Sequence, residues 1–236
     1  MAEDDRPLDA PGNRWLTIDD PAGVGKSSVA RRVADRLRWF HLDTGAMYRA
    51  VTLLCLRRGL TAERLDEAAL APLIDSLDLK IESGGRVWLD GTEVTTELRS
   101  PEVTGLVSPV SALPNVRHKL VDLQRAVGAK QSEHGAGVII EGRDAGSYVF
   151  PQARWRFYLD ASLAERARRR LRQELGDQVP APETLTAAME RLATRDRIDR
   201  ERDFAPLKVP DGATVLDTSH MSLEQVVTAI TQAVRS

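Results

Sequence analysis

The chain has 236 residues, 42% hydrophobic and 29% charged, with a formal net charge of −2 at pH 7, which suits one α/β domain carrying a small insert. The near-neutral charge excludes a global field that would recruit nucleic acid or an anionic membrane, so neither partner is expected. One cysteine excludes an internal disulfide, and no apolar run approaches membrane-spanning length; both observations favour the cytoplasm.

The N-terminal part of the chain leads into the most informative segment. Residues 1–13 are polar, acidic and rich in proline and glycine, so we predict a disordered leader before a single domain at residues 14–236. An apolar strand pattern at residues 15–18 is followed by a loop of small residues and then by a helical pattern up to Leu37. The order strand, glycine-rich loop, Gly-Lys-Ser and helix is typical of a phosphate-binding loop.

The residue types in this loop suit a polyphosphate. Glycines allow backbone N–H groups to turn toward phosphate oxygens, and the N-terminus of the following helix adds unpaired donors. Lys26 can reach the outer phosphates, and the Ser27 hydroxyl can ligate Mg²⁺. A strand–turn–helix connection with an incidental lysine is the alternative interpretation.

The first glycine of the usual pattern G-x-x-x-x-G-K-[ST] is replaced by Asp20. Aspartate tolerates a positive φ better than most residues, so the turn is expected to survive. The carboxylate matters more. Facing a phosphate about 5 Å away at an effective dielectric near 20, it would repel the phosphate by roughly 3 kcal/mol, whereas an outward orientation would have little effect.

Strand and helix patterns alternate after the first helix. A short strand at residues 39–42 leads into Asp43-Thr44-Gly45, and helices are predicted at residues 46–57 and 62–77. The Asp-Gly pair at residues 90–91, between alternating apolar and polar residues, is typical of a two-residue hairpin. We therefore predict a small antiparallel insert at about residues 78–100, with strands at 79–82, 86–89 and 92–94.

The second half of the chain continues the alternation. Proline opens each of two predicted helices, at residues 101–112 and 114–130. The apolar run at residues 137–140 is typical of a central parallel strand. The remaining predicted elements are a strand at 156–159, a helix capped by Ser162, a helix at 182–203, a strand at 214–216 and a final helix capped by Ser222 and Gln225. This order predicts a doubly wound parallel sheet covered by helices on both faces.

Three polar clusters follow predicted strands, at residues 19–28, 43–49 and 141–144. Because ligands of such sheets bind outside the carboxyl ends of the strands, we expect these clusters to converge on one site.

A group of arginines in the last third of the chain suits phosphate. Arg195, Asp199 and Arg202 fall on one helix face, although a solvated helix with ion pairs four residues apart has the same pattern. The preference for arginine over lysine favours planar recognition of phosphate. We predict a helical lid at about residues 176–206 that neutralises transferring charge and excludes water. The basic run at residues 166–172 is interpreted as a solvated face, with at most one residue touching nucleotide.

The sequence lacks a convincing Ser-His-Asp or Cys-His pair, and its four histidines show no metal-binding spacing. This absence suits one particular reaction. When the acceptor is itself a phosphate monoester, its oxygen is already ionised at neutral pH and needs no strong base. Catalysis then reduces to positioning and to charge neutralisation by Lys26, Mg²⁺ and arginines.

The chain resembles bacterial cytidylate kinase, a P-loop nucleoside monophosphate kinase. The resemblance covers residues 15–236 and implies a P-loop NTPase-like parallel sheet, a mobile arginine-bearing lid and an insert beside the monophosphate site. It rests on six segments in order: IDDPAGVGKSS, LDTGAMYRAVT, GTEVTTELRSPEV, VSPVSALPNVR, EGRDAGSYVFP and RDRIDRERDFAPL.

The resemblance implies that the γ-phosphoryl group of ATP is transferred to CMP or dCMP with Mg²⁺. We expect the protein to be a cytoplasmic monomer. The carboxylate of Asp144 fits the exocyclic amine of cytosine, which predicts a preference for CMP and dCMP over UMP. The implied ATP site is Asp20, Pro21, Ala22, Gly23, Val24, Gly25, Lys26, Ser27 and Ser28, with Ser27 as metal ligand. The implied acceptor site is Thr44, Arg49, Ser108, Arg117, Arg143, Asp144, Arg195 and Asp199, and the implied catalytic cations are Lys26, Arg195 and Arg202.

The chain departs from the family pattern at Asp20, at Ser147-Tyr148 and at Ile198, of which the last two departures look tolerable. Two alternatives stay open. The first is a kinase for another small acceptor such as UMP, and the second is a nucleotide-binding protein whose activity is impaired by Asp20. A GTPase switch is disfavoured, because the sequence contains no N-K-x-D motif.

Overall fold

The computed structural model describes residues 14–176 and 181–235. The predicted leader at residues 1–13 lies outside the described residues, as do residues 177–180 of the predicted lid and Ser236. None of the helices in the described ranges is both long and apolar enough to cross a membrane.

Two sheets organise the described chain. A five-stranded sheet has the order β2-β6-β1-β7-β8, and all of its neighbouring strands run parallel. A three-stranded antiparallel sheet has the order β3-β4-β5. The strands are β1 (Trp15–Asp19), β2 (Phe40–Asp43), β3 (Leu79–Ile81), β4 (Val87–Leu89), β5 (Thr92–Glu93), β6 (Val138–Gly142), β7 (Trp155–Asp160) and β8 (Thr214–Asp217).

Helices cover both faces of the parallel sheet, as the sequence predicts. In β6, Ile139 packs against α1 and α8, whereas Val138 and Ile140 pack on the opposite face with α2 and α5, because side chains alternate along a strand. The helices are α1 (Lys26–Leu37), α2 (Thr44–Arg57), α3 (Glu67–Asp75), α4 (Pro101–Ala112), α5 (Pro114–Glu133), α6 (Leu163–Leu175), α7 (Pro182–Glu201) and α8 (Leu223–Arg235).

The antiparallel insert is confirmed. Leu89 pairs with Thr92 across the Asp90-Gly91 turn, whose residues have φ values of 50° and 74°. Two successive positive φ angles indicate the type I′ turn that matches the twist of a hairpin. Apolar side chains of β4 pack with residues of α2 and α4, so the insert lies beside these two helices.

The prediction of a single helix at residues 62–77 is wrong. A 3₁₀ turn at Ala62–Arg64 is separated from α3 by extended backbone, and the Asp66 side chain accepts a hydrogen bond from the Ala69 N–H. This N-cap bond gives α3 its own start, because it satisfies one of the amides left unpaired at a helix N-terminus. A π-helical turn at Ala145–Val149, which the sequence patterns do not predict, follows β6.

Close packing before β6 generates a stability prediction. A Cβ atom at Gly137 would lie 2.2 Å from the Trp39 ring, which itself packs on Trp155. We expect Gly137→Ala to lower the free energy of unfolding by about 1–3 kcal/mol, because the overpacked indole must shift. The control is Gly105→Ala on an exposed part of α4, where the added methyl meets no atom within 4 Å and should be neutral or stabilising. Urea denaturation of both variants checks this; equal stabilities would contradict it.

Candidate active site

The three polar clusters converge, as expected. Strand β6 lies between β1 and β2, and register places Asp19 opposite Gly142 and Asp43 opposite Glu141. The carboxyl ends of these neighbouring parallel strands therefore bring the loop after β1, the start of α2 and the segment after β6 to one edge of the sheet.

The loop between β1 and α1 has the backbone of a phosphate-binding loop. Gly23 and Gly25 have φ values of 86° and 101°, and Lys26 begins α1 directly after them. Within the described chain, the N–H groups of Gly23, Val24 and Gly25 donate to no other residue. These amides are therefore available to an anion. Asp20 does not have a positive φ, so its replacement of glycine strains no backbone.

The carboxylate of Asp20 points inward, toward the cations of the site. Its Oδ1 atom lies 3.0 Å from Lys26 Nζ and 2.5 Å from Arg143 Nη1. Burial raises the pKa of Asp20, and the charges of Lys26 and Arg143 oppose that shift. Of the two orientations considered from the sequence, the structure shows the one that competes with phosphate for these cations.

Glu141, at the end of β6, is a site residue that the sequence interpretation left without a role. Its Oε2 atom accepts a hydrogen bond of 2.9 Å from Ser27 Oγ and lies 3.8 Å from Lys26 Nζ. Burial by itself raises the pKa of Glu141, but the His41 ring 2.9 Å away and the charge of Lys26 hold it below its ordinary value. Its place at the end of a strand beside the loop strand is the signal that could have identified it.

A second group of residues surrounds Asp144. Arg117, fully buried on α5, places Nη2 2.5 Å from Asp144 Oδ2 and lies over the rings of Tyr48 and Phe204. Ser108 lies half-buried on α4, and its carbonyl oxygen accepts a hydrogen bond of 2.9 Å from Ser111 Oγ. Arg117 and Asp144 thus present a charged, planar pair beside two aromatic rings. Neither ring carried a role in the sequence interpretation.

The side chains of Thr44 and Arg49 form hydrogen bonds with other residues of the chain. The Thr44 hydroxyl donates to the carbonyl of Glu141 at 2.7 Å, which ties the start of α2 to the end of β6. Arg49 Nη1 donates to the carbonyl of Leu98 and to Thr104 Oγ1. Both side chains therefore link α2 to its neighbours at the edge of the site.

The turn that carries Asp144 is fastened to β1 through Asp19. Both carboxylate oxygens of this fully buried residue accept backbone hydrogen bonds of 2.7 Å, from Ala145 and Gly146. Burial raises the pKa of Asp19 to about 7, although the two hydrogen bonds oppose the shift. The result is a rigid connection between β1 and the turn that carries Asp144.

Two charged residues of the predicted lid face, Asp199 and Arg202, lie close together in the structure. Asp199 Oδ2 accepts a hydrogen bond of 3.1 Å from Arg143 Nε, and Arg202 lies 3.4 Å from Asp144 and 3.6 Å from Asp199. Arg195 differs from these paired residues. Its buried Nε has no hydrogen-bond partner in the described chain, and burial together with Arg143 lowers its pKa to about 10.

The interpretation of residues 166–172 as a solvated face is wrong for two arginines. Arg166 is buried and donates to the carbonyl of Ala22, and Arg169 donates to the carbonyl of Val24. Three residues apart on α6, they share the helix face that packs on the loop. Arg168 is exposed and ion-paired to Glu165, as a solvated face requires.

Comparison with known proteins gives a consistent family. The cytidylate kinase family model matches residues 16–236. Cytidylate kinases from Symbiobacterium thermophilum and Caldanaerobacter subterraneus are 43% and 40% identical to this chain; each alignment covers 93% of this chain and 96% or 94% of the relative. A bifunctional pantoate ligase/cytidylate kinase from Synechococcus sp. is 44% identical over 93% of this chain. The chain spans only 40% of that bifunctional relative.

The raised pKa of Asp19 predicts a pH dependence of stability. With a folded pKa of about 7 against an ordinary value of 3.8, the folded state holds a proton that the unfolded state has lost. The free energy of unfolding should therefore fall as pH rises from about 4 to about 7, by up to about 1.4 kcal/mol per pH unit from this group. Urea titrations at several pH values compare how steeply the free energy of unfolding changes with pH in the natural protein and in Asp19→Asn. Equal pH dependence in both proteins would contradict the raised pKa of Asp19.

Proposed function

The chain belongs to the cytidylate kinase family, and we propose that it transfers the γ-phosphoryl group of ATP to CMP or dCMP, giving ADP and CDP or dCDP. The observation that carries this proposal is Arg195, a half-buried cation whose buried Nε has no hydrogen-bond partner within the described residues. Burial lowers the pKa of Arg195 most, Arg143 and Arg49 lower it further, and Asp199 and Asp20 oppose the shift, so Arg195 lies within electrostatic range of both halves of the site. A partly buried and incompletely paired charge is costly, and an anionic ligand offsets that cost.

On the donor side, the free loop amides and Lys26 would hold the ATP phosphates. The residues also fit Mg²⁺: the Ser27 hydroxyl and the ionised Glu141 are hard oxygen donors 2.9 Å apart. Among the described residues no cluster of three or more His, Cys, Asp or Glu side chains could hold a metal, so phosphate and water oxygens would complete the shell. When bound, Mg²⁺ would supply further neutralisation of phosphate charge.

On the acceptor side, Arg143, Arg49 and Thr44 would bind the monophosphate, while Ser108, Arg117 and Asp144 would read the base. A carboxylate accepts a hydrogen bond from the exocyclic amine of cytosine but faces a carbonyl oxygen in uracil, which favours CMP. All these residues belong to one chain, so the proposed site needs no second copy.

The proposed chemistry needs no general base, because the CMP phosphate is already ionised at neutral pH. Lys26, Arg195 and Arg202 would neutralise the charge on the transferring group, and the lid segment of α7 would exclude water. Arg202 already lies 3.4 Å from Asp144, so the lid end and the acceptor side are in contact.

One observation favours the alternative of a nucleotide-binding protein with impaired transfer. The inward carboxylate of Asp20 holds Lys26 and Arg143, which the proposed reaction needs for phosphate. A kinase acting on another small acceptor such as UMP also has to be tested, since it would use the same loop and lid.

The acceptor preference tests the role of Asp144. With Mg-ATP, we expect kcat/KM for CMP and dCMP to exceed that for UMP by about 100-fold or more, because uracil would place a carbonyl oxygen against the buried carboxylate. Asp144→Asn should reduce this ratio at least about tenfold, since an amide can also donate. The matched control, Asp122→Asn on the exposed side of α5, should leave the ratio unchanged. ADP release is the measurement, and equal turnover of CMP and UMP by the natural protein would refute the role of Asp144.

Asp20 can be tested with a neutral side chain of the same shape and with glycine. Removing its charge should lower the Kd for ATP about tenfold or more, because Lys26 and Arg143 no longer pair with an internal anion; tenfold corresponds to about 1.4 kcal/mol. Calorimetric ATP titrations of Asp20→Asn and Asp20→Gly check this. A Kd unchanged in both variants would mean that the carboxylate does not compete. A natural protein that is nearly inactive until Asp20 is replaced would support the impaired-transfer alternative.

A further inference from the structure

Charged side chains of α6 and α7 form hydrogen bonds with the outer surface of the phosphate loop. We propose that Arg166, Arg169 and Asp196 are positioning residues: they orient the peptide groups of the loop and couple the loop to the lid helix. The inference rests on the proposed function, because it concerns how the same loop is prepared for phosphate.

The first set of hydrogen bonds forms a closed ring of Ala22, Arg166 and Asp196. Asp196 Oδ1 accepts a hydrogen bond of 2.8 Å from the Ala22 N–H, and Arg166 Nη1 donates to the Ala22 carbonyl at 2.8 Å. The same Nη1 atom donates to Asp196 Oδ2 at 2.6 Å. Arg166 Nε donates to the carbonyl of Ala161, which fixes the guanidinium plane. Ala22 and Asp196 are 1% exposed and Arg166 is 7% exposed, so water does not compete for these bonds.

The second set of hydrogen bonds comes from a residue one helical turn further along α6. Arg169 Nη1 donates to the carbonyl of Val24 at 2.9 Å and to Thr218 Oγ1 at 2.9 Å. Arg169 Nε donates to Glu165, so the arginine is held from two sides. Arginines of one helix thus bind two alternate carbonyls of the loop.

These hydrogen bonds fix the direction of the N–H groups of Gly23 and Gly25. In a trans peptide the C=O and the following N–H point in opposite directions. Because the carbonyls of Ala22 and Val24 point outward to Arg166 and Arg169, the N–H groups of Gly23 and Gly25 point away from α6. Glycine peptides rotate easily, so without an external hold these two amides would sample many orientations. The arginines therefore preorganise two donors that no residue of the described chain uses.

Asp196 extends the effect to the lid. It directly follows Arg195 on α7, so its bond to Ala22 limits the rotation of α7 that brings Arg195 to the site. Leu192, one turn earlier, packs against the same loop, since a Cβ atom at Gly23 would lie 3.2 Å from its Cδ1. Loop position and lid rotation are thus set by one cluster, Ala22, Gly23, Leu192 and Asp196.

The test compares conservative variants in the full chain. Arg166→Lys and Arg169→Lys keep the charge but lose the planar group that spans several acceptors. Asp196→Asn keeps the acceptor for Ala22 but puts a donor against Arg166. The matched control is Arg168→Lys, whose side chain is 55% exposed on the same helix. The readouts are the Kd for ADP, the amide proton shifts of Gly23 and Gly25 on adding ADP, kcat and KM for ATP and CMP, and Tm.

Arg169→Lys, the least buried of the three changes, should keep its Tm within a few degrees yet bind ADP about tenfold more weakly and lose the downfield shifts of the two glycine amides. Arg166→Lys should do the same more strongly. Asp196→Asn should lose more in kcat than in ADP affinity, because the placement of Arg195 is affected.

Natural ADP affinity and unchanged glycine shifts in Arg169→Lys and Arg166→Lys would overturn the proposal, and so would an equal effect of Arg168→Lys. Because ADP binding and amide shifts need no turnover, these outcomes can be read even if the natural protein does not phosphorylate CMP. In that case the proposed function fails, and the positioning of the loop is still judged by itself.

Discussion

Buried charge at the carboxyl edge of the parallel sheet is the constraint on which the site depends. Asp20, Glu141, Asp144 and Asp199 are all at most 4% exposed, and a buried carboxylate is tolerated only with a partner. Lys26, Arg143, Arg117 and Arg202 provide these partners and come from elements far apart in the chain. The ion pairs therefore join the loop, the strand ends, α5 and α7 into one unit.

One charged group in this network is not fully paired. Arg195 lies beside Arg143 with its Nε unpaired in the described chain, and its pKa is lowered to about 10. An anion is the ligand that such a cation favours, and a polyphosphate next to a monophosphate would supply several negative charges. The incompletely paired Arg195 on α7 and the free amides of the loop thus favour the same kind of ligand from two sides.

Asp20 acts against this arrangement. Its carboxylate occupies the neighbourhood of Lys26 that an outer phosphate would take. Because it also holds Arg143, which in turn holds Asp199 on the lid, a change at this position reaches both halves of the site. Arg166, Arg169 and Asp196 act from outside the loop, so its geometry is set by one ionic cluster inside and another outside.

The sequence by itself determined the features that depend on neighbours along the chain. The continuous apolar run before Glu141 required a strand covered on both faces, Asp90-Gly91 required a tight hairpin, and parallel strands required that their polar ends meet. The resemblance of six ordered segments indicated the family. These signals are local, or follow from the handedness and order of βα units.

Only the tertiary structure decided which charges meet. The inward turn of Asp20 depends on Arg143, 123 residues away, and the bond from Ala22 goes to Asp196, 174 residues away. Helical periodicity places Arg166 and Arg169 on one face and Arg168 on another, but only the packing of α6 shows that the first face holds the loop. The direction of a charged side chain follows from the partner that compensates its burial, and that partner is chosen by the packing of distant elements.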